Sequence, residues 1–409
     1  MTKEKSTVPR LRFPGFTDAW KQRKLGEVAE KVSQKNLDRQ YVETFTNSAE
    51  FGIISQRDFF EKNISSLDNI SGYYIVSPDD FVYNPRISNL APVGPIKRNK
   101  LGRVGVMSPL YTIFRFSDIH LDFVEKYFDT TIWHRYMELN GDSGARSDRF
   151  AIKDSVFKGL PIPLPTLPEQ EAIGSFFSDL DQLITLHQRK LDDVKELKKA
   201  LLQKMFPKGN GNDFPELRFP EFTDAWKQRK LGEVLKERNE SRSPSADVPL
   251  VSFTVENGVT PKTERYNREF LVRDENKKYK FTQLDDIVYN PANLKFGAIA
   301  RNKYGAAVFS PIYVTYGVLS EAHPLFVELI VTSTNFIQRA LRYQEGTVYE
   351  RMAVKSFDLL RSEIPLPTLP EQEAIGSFFS DLDQLITLHQ RQLDHLKLLK
   401  KALLQQMFI

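Results

Sequence analysis

The stretch IPLPTLPEQEAIGSFFSDLDQLITLHQR, at residues 162–189, recurs letter for letter at residues 364–391. A second stretch, FTDAWKQRKLGEV, occurs at residues 16–28 and again at residues 222–234. We call these four segments the repeated frames. The sequences between them differ strongly, so the chain consists of two related halves with identical frames and divergent inserts. A period of roughly 200 residues indicates a duplicated domain rather than a solenoid of short repeats.

The divergent inserts keep short matching motifs. DDFVYNP at residues 79–85 matches DDIVYNP at residues 285–291, and IKRNKLG at residues 96–102 matches IARNKYG at residues 299–305. Because these motifs lie in the same order and at similar spacing, we expect both inserts to have the same fold.

Both inserts contain strand and helix patterns. Alternating β-branched and aromatic residues predict strands in YTIFRF at residues 111–116 and YVTYGV at residues 313–318. Apolar residues at helical spacing predict helices in residues 122–139 and 324–341. The predicted class is therefore α+β, with two tandem mixed α/β domains.

A long helix is predicted after each insert. Thr166 and Glu169 have the spacing of a capping box, and Thr368 and Glu371 repeat it. A heptad seam then runs along each helix with alternating steps of four and three, which is typical of a coiled coil. Its positions are Ile173, Phe177, Leu180, Ile184, His187, Leu191, Val194, Lys198, Leu201 and Met205 in the first helix, and Ile375, Phe379, Leu382, Ile386, His389, Leu393, Leu396, Lys400, Leu403 and Met407 in the second.

Two arrangements of the long helices are open. Each helix could pack on its own domain, or the two could pair with each other as an antiparallel coiled coil with pseudo-two-fold symmetry, which we favour. An antiparallel pair would bring His187 towards His389. It would also place each seam lysine beside an acidic stretch of the other helix: Lys198 beside residues 381–383, and Lys400 beside residues 179–181.

The composition excludes several classes of protein. Of the 409 residues, 41% are hydrophobic and 27% charged, the net charge is +4, and there is no cysteine. A disulfide framework and a cysteine-based metal site are therefore excluded. The N-terminal sequence has no apolar core of a secretory signal, and no apolar run is long enough to cross a bilayer. We expect a cytoplasmic protein with no membrane association.

Motifs of DNA-modifying enzymes are not found in the sequence. An adenine methylase of its own would need an (N/D)PP(Y/F) tetrapeptide, which YNPR and YNPA resemble only superficially. A motor would need a GxxxxGK[ST] phosphate loop. The six histidines have no metal-ligand spacing. We therefore predict no catalytic residue and no metal site.

The layout resembles that of the specificity subunits of bacterial type I restriction–modification systems. WKQRKLGEV at residues 20–28 and 226–234 carries the resemblance, together with PLPTLPEQEAIGSFFSDLDQLI at residues 163–184 and 365–386. The resemblance extends over the whole chain. It implies target-recognition domains at residues 8–165 and 212–367, a central spacer helix at residues 166–207 and a C-terminal spacer helix at residues 368–409.

The resemblance also implies partners and a division of labour. Each domain would read one half of an asymmetric, bipartite site in double-stranded DNA, and the paired helices would set the spacer. Two modification subunits would dock on the repeated frames and methylate adenine, and restriction/translocase subunits would complete the complex. S-adenosylmethionine and ATP are then expected on the partners, with no cofactor on this chain. The alternative is a stand-alone DNA-binding or coiled-coil scaffold protein.

Candidate DNA contacts fall into shared and divergent groups. Shared cations suit phosphates, whereas divergent side chains suit base edges. The basic segments at residues 96–103 and 299–305 either contact phosphates or are solvated basic hairpins, and they supply Lys97, Arg98, Lys100, Arg103, Arg301 and Lys303. Asn84 and Asn290 in the YNP motifs are either DNA contacts or turn formers. The remaining candidates, from polar loops and divergent positions, are Arg146, Arg149, Lys262, Arg265, Arg268, Lys295, Tyr349 and Arg351.

Overall fold

A computed structural model describes residues 8–60, 69–142, 148–208, 214–261, 278–346 and 352–409. The chain divides into two compact units, and each is described by itself. Unit 1 contains Met1–Arg189 and Arg391–Ile409, and unit 2 contains Lys190–Gln390. The division crosses both long helices, so each unit holds the N-terminal part of one and the C-terminal part of the other.

Strands of unit 1 are β1 (Lys21–Lys24), β2 (Ala29–Val32), β3 (Phe45–Ser48), β4 (Gly52–Ser55), β5 (Tyr74–Val76), β6 (Phe81–Tyr83), β7 (Ile96–Arg98), β8 (Gly105–Met107), β9 (Thr112–Phe116) and β10 (Pro161–Leu164). Those of unit 2 are β11 (Lys227–Lys230), β12 (Leu235–Glu237), β13 (Ser241–Arg242), β14 (Val251–Thr254), β15 (Gly258–Pro261), β16 (Tyr279–Thr282), β17 (Ile287–Tyr289), β18 (Ile299–Arg301), β19 (Ala307–Phe309), β20 (Val314–Val318) and β21 (Glu363–Leu366).

Helices are α1 (Leu25–Val28), α2 (Gln56–Phe60), α3 (Leu121–Asp129), α4 (His134–Asn140), α5 (Asp154–Phe157), α6 (Leu167–Lys204), α7 (Pro324–Val331), α8 (Thr334–Ala340), α9 (Ser356–Leu360) and α10 (Leu369–Met407). Single 3-10 turns lie at Ile70–Gly72, Leu231–Glu233, Leu294–Phe296 and Leu341–Tyr343. The long helices α6 and α10 have 38 and 39 residues. No described helix is both long and apolar enough to cross a membrane.

Each unit has a four-stranded antiparallel sheet at its centre, with the same strand order. The order is β2-β9-β6-β7 in unit 1 and β12-β20-β17-β18 in unit 2. All residues of β6 and β17 are buried, because these strands are covered on both faces. The units therefore share one fold, although their inserts have diverged.

Smaller antiparallel sheets surround the central one. β5 pairs with β8 in unit 1, and β16 pairs with β19 and β13 in unit 2. The hairpins β3–β4 and β14–β15 also correspond. Strands β1 and β10, which come from the two repeated frames of unit 1, pair with each other, as β11 and β21 do in unit 2. The prolines of β10 are tolerated because alternate residues of an antiparallel pair point their N–H away from the partner strand.

Most of the predicted elements are present. The two predicted strands correspond to β9 and β20. Each predicted insert helix, however, is broken into two, α3 and α4 in unit 1 and α7 and α8 in unit 2. At the breaks the Thr130 hydroxyl donates to the Tyr127 carbonyl, and the Ser333 hydroxyl accepts from the Phe336 N–H. Such local side-chain bonds compete with continuation of a helix.

A glycine allows each long helix to pass close to the helix of its insert. A Cβ on Gly174 would lie 2.6 Å from Nδ1 of His120 and 2.9 Å from the backbone nitrogen of Phe123. A Cβ on Gly376 would lie 2.7 Å from Cβ of Leu325. The glycine in the repeated EAIGSFF sequence therefore has a packing role in both units.

The apolar positions of the heptad seam lie on the buried face of both long helices. They are buried or partly buried along both helices. In unit 1 the ring of Phe408, just beyond α10, lies 6.2 Å from that of Phe177 and 6.2 Å from that of Trp20. In unit 2 the ring of Phe206 lies 5.8 Å from that of Trp226 and 6.5 Å from that of Phe379. The C-terminal end of each long helix thus completes the core of one unit.

Both seam lysines reach the predicted acids. Nζ of Lys198 lies 2.5 Å from a carboxylate oxygen of Asp383 in unit 2, and Nζ of Lys400 lies 2.6 Å from one of Asp181 in unit 1. These contacts set the C-terminal part of one helix antiparallel to the N-terminal part of the other within each unit. The antiparallel pairing is therefore confirmed inside each unit, while the approach of His187 to His389 stays a prediction.

Candidate nucleic-acid interface

Arg98 lies at the end of β7, in the first basic segment. Its guanidinium donates to Asp79 at 2.7 Å and to Asp122 at 2.6 Å, and its side chain is only 13% exposed. Burial alone would lower the pKa of Arg98, but the hydrogen bonds and charges of these two carboxylates raise it. The guanidinium therefore joins the turn before β6 to helix α3.

Arg301 has the same place in unit 2. It donates to Glu328 at 2.9 Å and to Asp285 at 2.6 Å, and it is equally buried. Although the basic segments contain no acid, the fold brings acids to them from α3, α7 and the preceding turns. This geometry favours a structural role for Arg98 and Arg301, and their contact with phosphate stays a prediction.

Other cations of the basic segments lie nearer to solvent. Lys97 pairs with Asp129 on α3 and is half-buried. The more exposed cations form ion pairs at the surface: Lys100 with Glu125, Arg103 with Glu43, and Lys303 with Glu328. An exposed pair contributes roughly 0–1 kcal/mol. Arg103 could therefore exchange its carboxylate for a DNA phosphate at little cost, whereas the carboxylates paired with Lys100 and Lys303 are only 14% and 16% exposed.

A buried asparagine shapes each basic turn. The Asn99 amide donates to the carbonyls of Ser77 and Arg103, and Asn302 donates likewise to Gln283 and Gly305. These asparagines hold the turns in which Lys100 and Lys303 project outward. The sequence analysis missed them, although both lie in the matched RNK motif.

Asn84 and Asn290 are buried in the turns of the YNP motifs. The Asn84 amide donates to the carbonyl of Asn47, while its side-chain oxygen accepts from the N–H of Arg86. The Asn290 oxygen accepts from the N–H of Ala292. These bonds favour the turn interpretation of both residues, and contact with DNA stays a prediction.

Each YNP turn opens into an exposed loop whose ends match and whose tip differs. We call residues 85–94 and 291–297 the YNP loops. They end at Gly94 and Gly297, both with φ of +83°. A Cβ at Gly94 would lie 2.1 Å from the Asn84 carbonyl oxygen, so this position requires glycine. The anchors are shared, whereas the exposed side chains between them differ; Val93 and Leu294 within the loops are buried in the cores of their units.

The tip of the first YNP loop carries an arginine that lies beside a second one. Arg86 forms an isolated antiparallel bridge with Arg149, and the N–H of Phe150 donates to the Pro85 carbonyl at 2.7 Å. Arg86 is exposed and Arg149 partly exposed. The structure thus brings Arg149, a predicted DNA contact, next to Arg86. Arg86 was not predicted from the sequence, because the other half of the chain has no matching residue.

The tip of the second YNP loop is chemically different. Lys295 is exposed, and its ammonium group lies 4.9 Å from the ring centre of Phe296. Phe296 is itself 63% exposed. An exposed cation beside an exposed ring can contact both a phosphate and a base. The two units therefore present different side chains on matching anchors.

Several predicted DNA contacts lie outside the described residues. They are Arg146, Lys262, Arg265, Arg268, Tyr349 and Arg351. Their role stays a prediction. Among the residues that the structure does describe, no group of three or more His, Asp or Glu side chains could hold a metal ion.

A buried carboxylate at the start of each long helix holds the frame together. Glu169 is fully buried and accepts from the Arg12 guanidinium at 2.6 and 2.7 Å and from the Trp20 indole at 3.4 Å. Unit 2 repeats this arrangement with Glu371, Arg218 and Trp226. The predicted capping-box role of the glutamate is therefore replaced by a tie to the N-terminal segment.

A family model matches both halves of the chain. The model, described as "Type I restriction modification DNA specificity domain", matches residues 17–196 and again residues 223–398. Each match contains one insert together with its repeated frames, and the two together cover most of the chain.

Two curated relatives from Methanocaldococcus jannaschii are similar to this chain. The putative type I restriction enzyme MjaX specificity subunit is 24% identical over 279 residues, which cover 62% of this chain and 60% of that protein. The type I restriction enzyme MjaVIII specificity subunit is 24% identical over 266 residues, with 62% of each chain covered. The chain thus spans about three fifths of the length of these relatives.

A solved structure has the same fold. The crystal structure of a type I restriction–modification S subunit from M. genitalium matches with a TM-score of 0.61 over 98% of this chain and 99% of that one, at 13% identity. The match extends over both units and confirms the predicted α+β fold class.

Proposed function

This chain belongs to the type I restriction–modification DNA specificity family, and from that premise we propose that it is the DNA-reading subunit of such a complex. Unit 1 would read one half of an asymmetric, bipartite site, and unit 2 would read the other. The long helices would set the number of unread base pairs between the half-sites. Acting on cellular DNA, the complex would work in the cytoplasm.

The observation that carries this proposal is the pair of YNP loops. Their anchors are the same in both units, since Asn84 and Gly94 correspond to Asn290 and Gly297. Their tips differ: Arg86 lies beside Arg149 in unit 1, whereas Lys295 lies beside Phe296 in unit 2. A shared scaffold with different exposed side chains is what two readers of unlike sequences require.

Partners would supply the chemistry. The repeated frames present the same surface twice, which suits two copies of one methyltransferase subunit. S-adenosylmethionine would bind to the methyltransferase subunits, and ATP would bind to restriction/translocase subunits that join the complex. Support for a non-catalytic role comes from the missing methylase tetrapeptide and phosphate loop. The comparisons give the stand-alone scaffold alternative no support.

Methylome sequencing tests the proposal. The chain is co-expressed with a type I modification subunit, and the expected result is adenine methylation in both halves of one bipartite sequence. Replacing residues 20–164 with another recognition domain should change only the half-site read by unit 1. The matched replacement of residues 226–366 should change only the other.

Two results would contradict the proposal. One is a change in both half-sites after a single replacement, because the units would then not read independently. The other is stoichiometric binding of S-adenosylmethionine by the isolated chain in calorimetry, because the methyl donor would then belong to this subunit.

A further inference from the structure

Unit 2 contains a groove to which the proposed function assigns no role. It has a volume of about 790 Å³ and lies between residues 195–208 of the chain and residues 329–339 of α7, α8 and their connection. We call it the lysine groove. Its size is within the ~300–1,000 Å³ of ordinary binding pockets.

The floor of the lysine groove is apolar. Leu202 and Phe206 form one side, and Leu329 and Ile330 form the other. Ile330 is buried and the other three are partly buried. The floor thus offers apolar surface that a docked side chain could cover.

The rim of the lysine groove is cationic. It carries Lys195, Lys198, Lys199, Lys208 and Arg339, and none of the described residues lining the groove is acidic. Lys198 is paired with Asp383, and Lys208 with Glu216. Within the described part of the chain, no ion pair is formed by the three exposed side chains Lys195, Lys199 and Arg339.

The matching place in unit 1 is different. The cavity there measures about 210 Å³ and is lined mainly by aromatic and apolar side chains, including Tyr127, Trp133 and Tyr136. Tyr136 corresponds to Arg339. Lys397 and Lys401 of α10 correspond to Lys195 and Lys199, but they do not line this cavity. Among the described residues, the cavity at this place in unit 1 therefore has no lysine rim, although the helix sequences around it are similar.

We propose that the lysine groove docks an acidic amphipathic helix of a partner protein, one per chain. Apolar side chains at positions i, i+3 and i+4 of that helix would cover the floor. Its carboxylates would meet Lys195, Lys199 and Arg339 on the rim. This contact goes beyond the proposed function, which gives the chain two equivalent docking surfaces on its repeated frames and no site confined to one unit.

Charge and polarity together favour a peptide over DNA. A phosphate backbone would satisfy the rim but would leave the side chains of Leu202 and Phe206 against charged oxygens. An amphipathic helix satisfies both, since its two faces match the floor and the rim. Charged partners across an interface also select against wrong partners by like-charge repulsion.

Peptide binding to the full chain tests the proposal. The probe is a labelled 18-residue helical peptide with leucine at i, i+3, i+4 and i+7 and glutamate at the exposed positions, and the readout is fluorescence anisotropy. One peptide should bind per chain. Lys195→Glu/Lys199→Glu should weaken binding at least tenfold, whereas the matched substitutions Lys397→Glu/Lys401→Glu in unit 1 should leave it unchanged. A lysine-for-glutamate version of the peptide should regain affinity for the Lys195→Glu/Lys199→Glu chain.

Other outcomes overturn the proposal. Equal weakening by both pairs of substitutions would mean that general charge binds the peptide. Equal binding of a scrambled peptide would mean that the apolar face is not recognised. Displacement of the peptide by a 20-base-pair DNA duplex, with duplex binding lost in the Lys195→Glu/Lys199→Glu chain, would assign the groove to DNA. None of these results affects bipartite methylation by the wild-type chain, whose absence would instead contradict the proposed function.

Discussion

The buried Asp80 carboxylate accepts hydrogen bonds from the Arg115 guanidinium at 2.7 and 3.1 Å. In unit 2 the matching carboxylate, Asp286, is also buried, but its guanidinium partner is Arg238 at 2.8 Å. The position that matches Arg115 is Gly317, where a Cβ would lie 3.2 Å from the Arg238 guanidinium. The two units therefore neutralise the same buried charge from different places, β9 in unit 1 and the residue after β12 in unit 2.

The different position of the arginine predicts that a second substitution can restore the stability lost when Arg238 is removed. Arg238→Val should destabilise the chain by about 3 kcal/mol, because breaking a buried pair leaves an uncompensated charge. Adding Gly317→Arg, which recreates the pairing of unit 1, should restore most of the loss. The measurement is the thermal unfolding midpoint of each variant.

The control for this rescue is an exposed ion pair. Lys355 and Glu345 are both more than half exposed, so Lys355→Ala should cost less than about 1 kcal/mol. If Gly317→Arg lowers the midpoint of the Arg238→Val chain further, the two positions are not interchangeable partners of Asp286.

Arg12 is expected to be the most sensitive residue of the N-terminal segment. Arg12→Ala would leave the Glu169 carboxylate buried with only the Trp20 indole, and should cost about 3–5 kcal/mol. Arg10, which is exposed, supplies the control, and Arg10→Ala should be nearly neutral. Denaturant unfolding measures both variants. Equal stabilities for the two would mean that the N-terminal segment does not stabilise the helix.

A pH dependence follows from the lysines around Asp129. Burial alone would raise the pKa of Asp129, but the charges of Lys97, Lys126 and Lys400 lower it to about 2. Because the folded pKa lies below the unfolded value of 3.8, this carboxylate contributes stability above about pH 4. That contribution, roughly 2 kcal/mol, is lost as the pH falls towards 2.

Acid unfolding of Asp129→Asn tests this dependence. The variant should be less stable than the wild type at pH 7, and the difference should shrink between pH 4 and pH 2. The exposed Asp118 has a left-handed φ of +57° that asparagine tolerates, so Asp118→Asn is a suitable control. A constant difference across this pH range would mean that the Asp129 carboxylate is not held charged by the lysines.

The frames and helices could be predicted from the sequence because their determinants are local. The heptad spacing fixed the seam, and the antiparallel alternative correctly paired Lys198 with Asp383 and Lys400 with Asp181. The tie from Arg12 to Glu169 was missed, although its signal was present. LRFP at residues 11–14 recurs at residues 217–220, just before the repeat that was recognised.

The environment of the basic segments could not be predicted in the same way. Arg98 meets Asp79 and Asp122, one from a turn and one from a helix, and only the folded sheet brings them together. The basic segments contain no acidic residue, but in the folded chain their cations form ion pairs with acids from other elements. Arg86 was not predicted because it lies in the divergent tip of its loop, where the sequences of the two halves of the chain do not match.

Exchanging the exposed tip of a YNP loop should change the half-site that its unit reads. Replacing residues 86–90 with residues 292–296 keeps Asn84 and Gly94, which anchor the loop, and the buried Ala91 and Val93. We expect the half-site read by unit 1 to change in methylome sequencing, while the other half-site stays the same. Gly94→Ala is the contrasting variant, because its Cβ would clash with the Asn84 carbonyl, and it should lower the unfolding midpoint. An unchanged half-site after the loop exchange would remove the YNP loop from DNA recognition.

Lengthening both long helices should lengthen the spacer. Four residues inserted after Arg189 and four after Arg391 extend each helix by ~6 Å, which is close to two base pairs at ~3.4 Å each. A four-residue insertion keeps the seam nearly in register, because it acts as a local stutter in the heptads. Both half-sites should be retained while methylome sequencing reports a longer gap between them. Four residues inserted between Pro207 and Lys208, beyond the end of α6, should leave the gap as it was. If the helix insertions also leave the gap as it was, the helices do not measure the spacer.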